Sequence, residues 1–265
     1  MARASRISAK FRELQREHRK GLIPFLVAGY PDLKTTERLL LTMESAGADI
    51  IELGIPFSDP MADGPVIQRA YETALKKGVT LRKILRLVAS VRRKGSQTPI
   101  VLMGYFNPIL AYGLKAFARA AATAGVDGLL VVDLPPEESA PLDRELRKKG
   151  VDLISLIAPT SDAARVRLVA RKARGYIYYV SMTGITGSRL GDLREVKRKV
   201  VEIRRHTALP VVVGFGIRKP TEASSLAKFS DGVVIGSELV RVIEKARDPV
   251  RGVASFISRF VRRGS

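Results

Sequence analysis

Cysteine and tryptophan are absent from this sequence, and histidine occurs only at positions 18 and 206. The lack of cysteine excludes a disulfide scaffold, a zinc site with thiolate ligands, an iron–sulfur cluster and a cysteine nucleophile. Two histidines in highly charged surroundings argue against a Ser-His-Asp triad and against a polyhistidine metal site. These absences remove the commonest nucleophilic and metal-dependent mechanisms.

Long hydrophobic runs are also missing. The longest apolar stretches, such as residues 128–132, fall far short of the about 20 residues that cross a bilayer. The N-terminus is basic, but Ile7, Phe11 and Leu14 lie at helical spacing, which favours an amphipathic opening helix over a targeting segment. We therefore expect a cytoplasmic protein.

Acidic residues are few relative to basic ones, 26 against 46, so the net charge is +20. The basic residues are spread over many candidate helices, with acidic residues nearby and no interleaved aromatic residues on which bases could stack. This distribution favours a solvated basic surface over a nucleic-acid or membrane partner. The positive field would still steer phosphorylated ligands towards the chain.

Eight short runs rich in Val, Ile and Leu alternate with longer amphipathic stretches, which is typical of parallel strands covered on both faces. The predicted strands are 22–28, 49–53, 100–103, 128–132, 152–157, 176–180, 210–213 and 232–235. The predicted helices are 35–46, 81–94, 115–124, 136–149, 161–172, 193–205, 221–227, 237–246 and 249–261. The alternation predicts an α/β fold, a (β/α)8 TIM barrel with an extra N-terminal helix.

No linker rich in Pro, Gly or Ser divides the chain, so we expect residues 1–265 to form a single domain. The alternative is a doubly wound open sheet. The first predicted strand, however, lacks the Gly-x-Gly-x-x-Gly turn that a dinucleotide-binding fold would place there. In a barrel, the chemistry lies where strands end and the following loops begin.

Two carboxylates fall at or near the end of the second predicted strand. Glu52 lies inside an apolar run, where burial would raise its pKa and suit it to general acid–base work near neutral pH. Asp63 follows in the next loop, on the same end of the predicted barrel, although Asp-Gly is also an ordinary turn sequence. Two such carboxylates can divide acid and base roles.

Glycine-bearing turns follow the last three predicted strands, at residues 183–187, 214–216 and 236–237. Glycines let backbone amides approach an anion, and a helix N-terminus adds its dipole. Loops after strands seven and eight recur as phosphate sites in barrels. We therefore expect backbone amides to hold a phosphate here, with little help from Lys or Arg side chains.

Six sequence blocks carry a resemblance to a known family. They are residues 22–32, 52–65, 103–108, 133–139, 178–187 and 213–217, which appear in the family's order; the run Glu-Leu-Gly-Ile-Pro-Phe-Ser-Asp-Pro at 52–60 is highly specific. From about Phe11 to the C-terminus, the chain resembles the tryptophan synthase α subunit. The resemblance implies a (β/α)8 barrel that cleaves indole-3-glycerol phosphate to indole and glyceraldehyde 3-phosphate, a retro-aldol lyase reaction of tryptophan biosynthesis.

By motif match, the resemblance implies that Glu52 transfers protons at indole C3 and at the glycerol hydroxyl, while Asp63 accepts a hydrogen bond from the indole N–H. Other implied substrate-binding residues are Phe25, Leu102, Tyr105, Val132, Tyr178 and Thr186. The implied phosphate contacts are Gly187, Gly216, Gly236 and Ser237. We expect segments 56–65 and 183–192 to move in the free chain, with closure ordering Asp63.

The resemblance further implies a β subunit as partner in an α2β2 heterotetramer, with Pro56, Asp59 and Pro60 in the contact region. Pyridoxal phosphate is expected only in that β subunit, and no cofactor or metal in this chain. Met182 and the +20 charge depart from the family's pattern. The alternatives are a stand-alone lyase that releases free indole, a non-catalytic basic binding protein, or an indole-glycerol-phosphate synthase, whose catalytic lysines are not evident.

Overall fold

The chain forms a closed barrel of eight parallel strands in sequential order, β1 to β8. This computed structural model describes residues 5–181, 192–214 and 216–261. The strands are β1 Gly21–Val27, β2 Ile51–Gly54, β3 Ile100–Gly104, β4 Gly128–Val131, β5 Asp152–Ile157, β6 Ile177–Val180, β7 Val211–Gly214 and β8 Gly232–Ile235. The first strand pairs with the last, Gly21 opposite Gly232, so the predicted (β/α)8 barrel is confirmed.

Helix α1 precedes the first strand, and the other helices follow the strands on the outside of the barrel. They are α1 Arg6–Arg16, α2 Leu33–Ser45, α3 Pro65–Lys76, α4 Leu81–Arg93, α5 Phe106–Tyr112, α6 Leu114–Ala124, α7 Ala140–Arg147, α8 Ala163–Lys172, α9 Leu193–Arg204, α10 Pro220–Ala227, α11 Ser237–Lys245 and α12 Pro249–Val261. Asp32 and Asp162 cap α2 and α8 by accepting hydrogen bonds from Thr35 N and Arg165 N. In the described residues, no helix is long and apolar enough to cross a membrane.

Two helices were not predicted, and one prediction was too long. Helix α3 begins at Pro65, directly after the loop that carries Asp63, and buries Ile67, Ala70 and Tyr71 at helical spacing. Helix α5 is a short insertion after β3. The predicted helix from residue 136 begins only at Ala140. A turn precedes it, in which the Ser139 hydroxyl donates to the Pro136 carbonyl.

The N-terminal helix closes the bottom of the barrel, where the strands begin. Ile7, Phe11 and Leu14 are buried on its inner face, as their spacing predicts. A Cβ on Gly128, at the start of β4, would lie 2.9 Å from Ile7 Cδ1, so this strand approaches the helix as closely as glycine permits. Substrate access is therefore left to the opposite end, where the strands finish.

Candidate active site

The candidate active site is a cavity of about 270 Å³ at the C-terminal end of the barrel. Its floor and walls come from strands β1, β2, β3, β6 and β8 and from the N-terminal ends of α3 and α11. The lining residues are Phe25, Glu52, Asp63, Gly64, Pro65, Val66, Ile67, Met103, Tyr178, Gly216, Ile217, Arg218, Val234, Gly236, Ser237, Glu238 and Arg241. The structure thus brings together both predicted carboxylates and five of the other predicted site residues.

Glu52 is the second residue of β2 and is completely buried. The Tyr176 hydroxyl donates a hydrogen bond to Glu52 Oε1 at 2.6 Å. Glu52 Oε2 has no hydrogen-bond partner among the described residues. Burial raises the pKa of Glu52 to about 7, and the bond from Tyr176 opposes part of that rise. The side chain can therefore both give and take a proton near neutral pH.

Asp63 lies at the other side of the cavity, just before α3, and is 3 % exposed. The Tyr105 hydroxyl donates to Asp63 Oδ2 at 2.7 Å and accepts a hydrogen bond from Ala62 N at 3.0 Å. Burial raises the pKa of Asp63 to about 6, against the opposing effect of the Tyr105 hydrogen bond. Near neutral pH Asp63 is mostly ionised, whereas Glu52 is divided between its two forms.

Neither carboxylate forms an ion pair with a described Lys or Arg. Tyr178 lines the same cavity as both carboxylates, and burial together with the charges of Glu52 and Asp63 raises the pKa of its phenol. Space for the Tyr178 ring comes from Gly214 on the neighbouring strand, where a Cβ would lie 2.0 Å from Tyr178 Oη. A glycine is therefore required at this position for Tyr178 to reach the cavity.

Strand parity decides which apolar residues face the cavity. Side chains alternate across a strand, so the residue two places after Glu52 shares its face. That residue is Gly54, which pairs with Met103 on β3, and Met103 lines the cavity. The predicted Leu102 pairs with Leu53, is fully buried and is not among the lining residues. Identifying Met103 requires the register between β2 and β3, which the structure supplies.

Two further predicted substrate residues lie near the cavity but do not line it. Tyr105 reaches Asp63 through its hydroxyl, as described above, and is buried. Val132 follows β4, is half-buried against the core and donates its backbone N–H to the Gly104 carbonyl. Thr186, Gly187 and Met182 lie outside the described residues, so their predicted roles stay predictions.

The end of the cavity nearest α11 presents the features of an anion site. Gly236 and Ser237 begin this helix, and no side chain caps its N-terminus. Gly216, across the cavity, adopts a φ of +77°, a conformation that glycine tolerates best. Arg218 and Arg241 also line this end, and neither was predicted. Arg241 pairs with Glu238 at 2.8 Å.

The three residues predicted to contact a partner differ in exposure. Asp59 is exposed, Pro60 is half-buried and Pro56 is buried. The Ser58 hydroxyl donates to Asp59 Oδ2. Next to them, the Met61 side chain is 91 % exposed, more than any other large hydrophobic residue described. The segment 58–61 therefore forms the outward face of the loop whose inner end carries Asp63.

Comparison with known proteins gives consistent matches along the chain. The family model described as tryptophan synthase alpha chain matches residues 11–262. The tryptophan synthase alpha chain of Geobacter sp. (strain M21) is 52% identical over 266 residues, which cover 98% of this chain and 99% of that protein. The same subunit of Geobacter sulfurreducens is 53% identical over 256 residues, covering 96% and 97% of the two chains.

Solved structures agree in fold and in sequence. Tryptophan synthase subunit alpha from Legionella pneumophila str. Paris superposes with a TM-score of 0.91 at 38% identity, covering 98% of each chain. A chain of tryptophan synthase from Mycobacterium tuberculosis superposes with a TM-score of 0.91 at 34% identity, covering 99% of each chain. These likenesses extend over almost the whole chain.

Proposed function

Because this chain belongs to the tryptophan synthase alpha chain family, we propose that Glu52 and Asp63 share the proton transfers of the family's reaction. The chain is a lyase that cleaves indole-3-glycerol phosphate to indole and glyceraldehyde 3-phosphate in tryptophan biosynthesis. It carries no cofactor, since pyridoxal phosphate belongs to the β subunit. One observation carries the assignment of roles: two buried carboxylates face one cavity, and within the described part of the chain their side-chain donors are tyrosine hydroxyls alone.

Glu52 acts first as an acid and then as a base. Its protonated carboxyl gives a proton to indole C3, which turns the indole into a leaving group. Its carboxylate then takes the proton of the glycerol hydroxyl as the aldehyde forms and the carbon–carbon bond breaks. The residue ends in its starting form, and a pKa of about 7 makes both transfers possible near neutral pH. Oε2, which has no described partner, is the oxygen available to substrate.

Asp63 stabilises the positive charge that develops on the indole ring. Its carboxylate accepts a hydrogen bond from the indole N–H, which becomes more acidic once C3 is protonated. The pKa of about 6 keeps this group mostly ionised when Glu52 is poised to transfer protons. A fixed negative charge in a water-poor site stabilises such a transition state more than the same charge in water would.

The remaining cavity residues bind the substrate's two ends. Phe25, Tyr178 and Met103 supply apolar and aromatic surface near Glu52 for the indole ring. Gly216, Gly236 and Ser237 hold the phosphate through backbone amides, with the α11 dipole adding to the attraction. Arg241 contributes less, because Glu238 already pairs with it.

The partner is the β subunit, in an α2β2 heterotetramer. We place the contact on segment 58–61, which includes Asp59 and Pro60 and lies on the exposed face of the loop that carries Asp63. Pro56 belongs to the same loop but supports it from inside. We also propose that residues 1–265 form one domain that works in the cytoplasm. The single domain is supported by the packing of α12 on α2 and α11 and by the contact of Phe11 in α1 with Tyr176.

An indole-release assay with indole-3-glycerol phosphate, with and without the β subunit, tests this function. We expect indole from the isolated chain and roughly five- to hundredfold more with the partner, the usual range of coupling between sites. If no indole is released either by the isolated chain or by the chain with the β subunit, the function is refuted. A fast isolated chain that does not respond to saturating β subunit would instead identify a stand-alone lyase.

A further inference from the structure

One hydroxyl group fixes the position of Asp63. Tyr105 Oη donates to the Asp63 carboxylate at 2.7 Å and accepts from the backbone amide of Ala62 at 3.0 Å. No other described side chain donates a hydrogen bond to that carboxylate. A displacement of the Tyr105 hydroxyl therefore disturbs the hydrogen bonds of the carboxylate and of the preceding peptide together.

The Tyr105 ring is held by a second aromatic residue. Phe57 stacks on it, with ring centroids 4.9 Å apart and an interplanar angle of 23°. Offset stacking of this kind restricts how an aromatic ring can tilt. The direction of the Tyr105 hydroxyl, which lies at the far end of its ring, depends on that tilt. The Phe57 ring thus acts on Asp63 without touching it.

Phe57 also connects to the exposed loop face. It is half-buried, and Ser58 and Asp59 directly after it are exposed. It also lines a cleft of about 240 Å³, which it shares with apolar residues that include Leu75, Val79 and Leu81 and with the exposed Ser58. Phe57 therefore has neighbouring space into which it can shift when segment 58–61 is held or released.

We propose that Phe57 is a positioning residue for Asp63, acting through the Tyr105 ring, and that it transmits contact of a protein partner with segment 58–61 to that carboxylate. The proposal rests on the proposed function for the role of Asp63 and for the place of the partner contact. It goes further by assigning the link between them to one aromatic pair. Phe57 itself contacts neither substrate nor reacting atoms.

A double-mutant cycle with saturating β subunit tests the link. The proteins are the wild type, Phe57→Leu, Tyr105→Phe and the double variant, with kcat and KM for indole release as the readout. We expect each single substitution to lower kcat about three- to thirtyfold, the range for coupled neighbours, with little change in KM. The double variant should be no slower than Tyr105→Phe. The proposal would be overturned if the fold-losses in kcat of the two single variants multiplied in the double variant, or if Phe57→Leu kept the wild-type kcat.

Two controls separate positioning from a loss of packing. Phe57→Tyr keeps the ring and should restore the wild-type kcat, and Leu81→Val alters the same cleft without removing an aromatic ring and should leave kcat unchanged. A Leu81→Val variant as slow as Phe57→Leu would contradict a specific role for the stack. If Phe57→Leu fails to fold, Phe57→Met removes the ring but keeps an unbranched, flexible side chain that fills irregular space, and serves in its place.

A crystal structure of the Phe57→Leu variant gives a readout that does not depend on activity. We expect the Tyr105 Oη–Asp63 Oδ2 hydrogen bond to be lengthened or lost. An unchanged bond would refute the proposal even if the proposed function is correct. A broken bond in the variant, together with a wild-type chain that releases no indole with saturating β subunit, would refute the proposed function while leaving the structural link in place.

Discussion

The buried carboxylates at the two ends of the barrel have different partners. At the bottom, before β4, Asp127 accepts hydrogen bonds from Arg92 Nη2 at 2.6 Å and Arg6 Nη1 at 2.9 Å. In the active-site cavity, the side-chain hydrogen bonds of Glu52 and Asp63 come from the hydroxyls of Tyr176 and Tyr105. All three carboxylates are at most 5 % exposed, so burial does not distinguish them.

The charge of the hydrogen-bonded group distinguishes a structural carboxylate from a reactive one in this barrel. Asp127 also accepts from the backbone amide of Ile100 at 2.8 Å, and so joins the starts of β3 and β4. Asp49 and Asp231 make the same bond to Leu22 N and Val211 N, and so join the starts of β1 and β2 and of β7 and β8. Guanidinium groups balance the Asp127 charge, whereas beside neutral hydroxyls burial raises the pKa of Glu52 to about 7 and that of Asp63 to about 6.

Replacing Glu52 gives the largest effect on rate. We expect Glu52→Gln to lower kcat for indole release by about 10²–10⁴, because the amide keeps the shape but cannot transfer protons. Steady-state assays at saturating β subunit measure this, with circular dichroism to confirm the fold. A variant that retains more than half of the wild-type rate would remove Glu52 from the mechanism.

Replacing Asp127 tests the other end of the barrel. Asp127→Asn leaves Arg92 without its charge partner, and we expect a loss of about 3 kcal/mol or more in unfolding free energy, with kcat unchanged where the chain stays folded. Asp231→Asn is the matched control. Its ion pair with Arg204 is about a third exposed, so the loss should be about 1 kcal/mol or less. Equal losses in urea unfolding would contradict the comparison.

The Glu52 carboxyl should make stability depend on pH in a defined direction. Its folded pKa of about 7 exceeds the ordinary value of 4.5, so the folded state binds more protons between these limits. As the pH rises from 4.5 to about 7, the unfolding free energy of the wild type should therefore fall relative to that of Glu52→Gln, by roughly 3 kcal/mol in total. Urea unfolding of both proteins across the window measures the difference. A pH-independent difference would show that Glu52 is not held in its protonated form by burial.

Arg241 should have the smallest effect. Arg241→Gln removes a cation at the phosphate end of the cavity, but Glu238 already pairs with it, and about 30% of its side chain is exposed. We expect KM to rise roughly two- to fivefold with kcat retained, as for a partly screened charge. A far larger rise in KM would mean that this side chain, and not the α11 amides, holds the phosphate.

The strands and both carboxylates could be predicted from local patterns in the sequence. The run 152–157, for example, is the observed β5, because a short apolar stretch bounded by turn residues is typical of a strand in a sheet covered on both faces. Helix α3 was missed although Ile67, Ala70 and Tyr71 carry the helical spacing, because the Asp-Gly-Pro before it was interpreted only as a loop.

The tyrosines that hold the carboxylates could not be predicted in the same way. Tyr176 and Glu52 are 124 residues apart, and Tyr105 and Asp63 are 42 apart. Their contacts depend on how far each strand is shifted relative to its neighbours when the barrel closes. The same dependence explains why Leu102 was named in place of Met103, since a shift of one residue moves a side chain to the other face.

Direct titration of the Glu52 carboxyl tests the central claim, that a buried carboxylate without a cationic partner is the group that transfers protons. Infrared difference spectra of the wild type against Glu52→Gln, recorded across pH, isolate the carboxyl band of this one residue. We predict that the band of the protonated form disappears with a midpoint about 7. A midpoint at the ordinary value of a glutamate, near 4.5, would contradict the account.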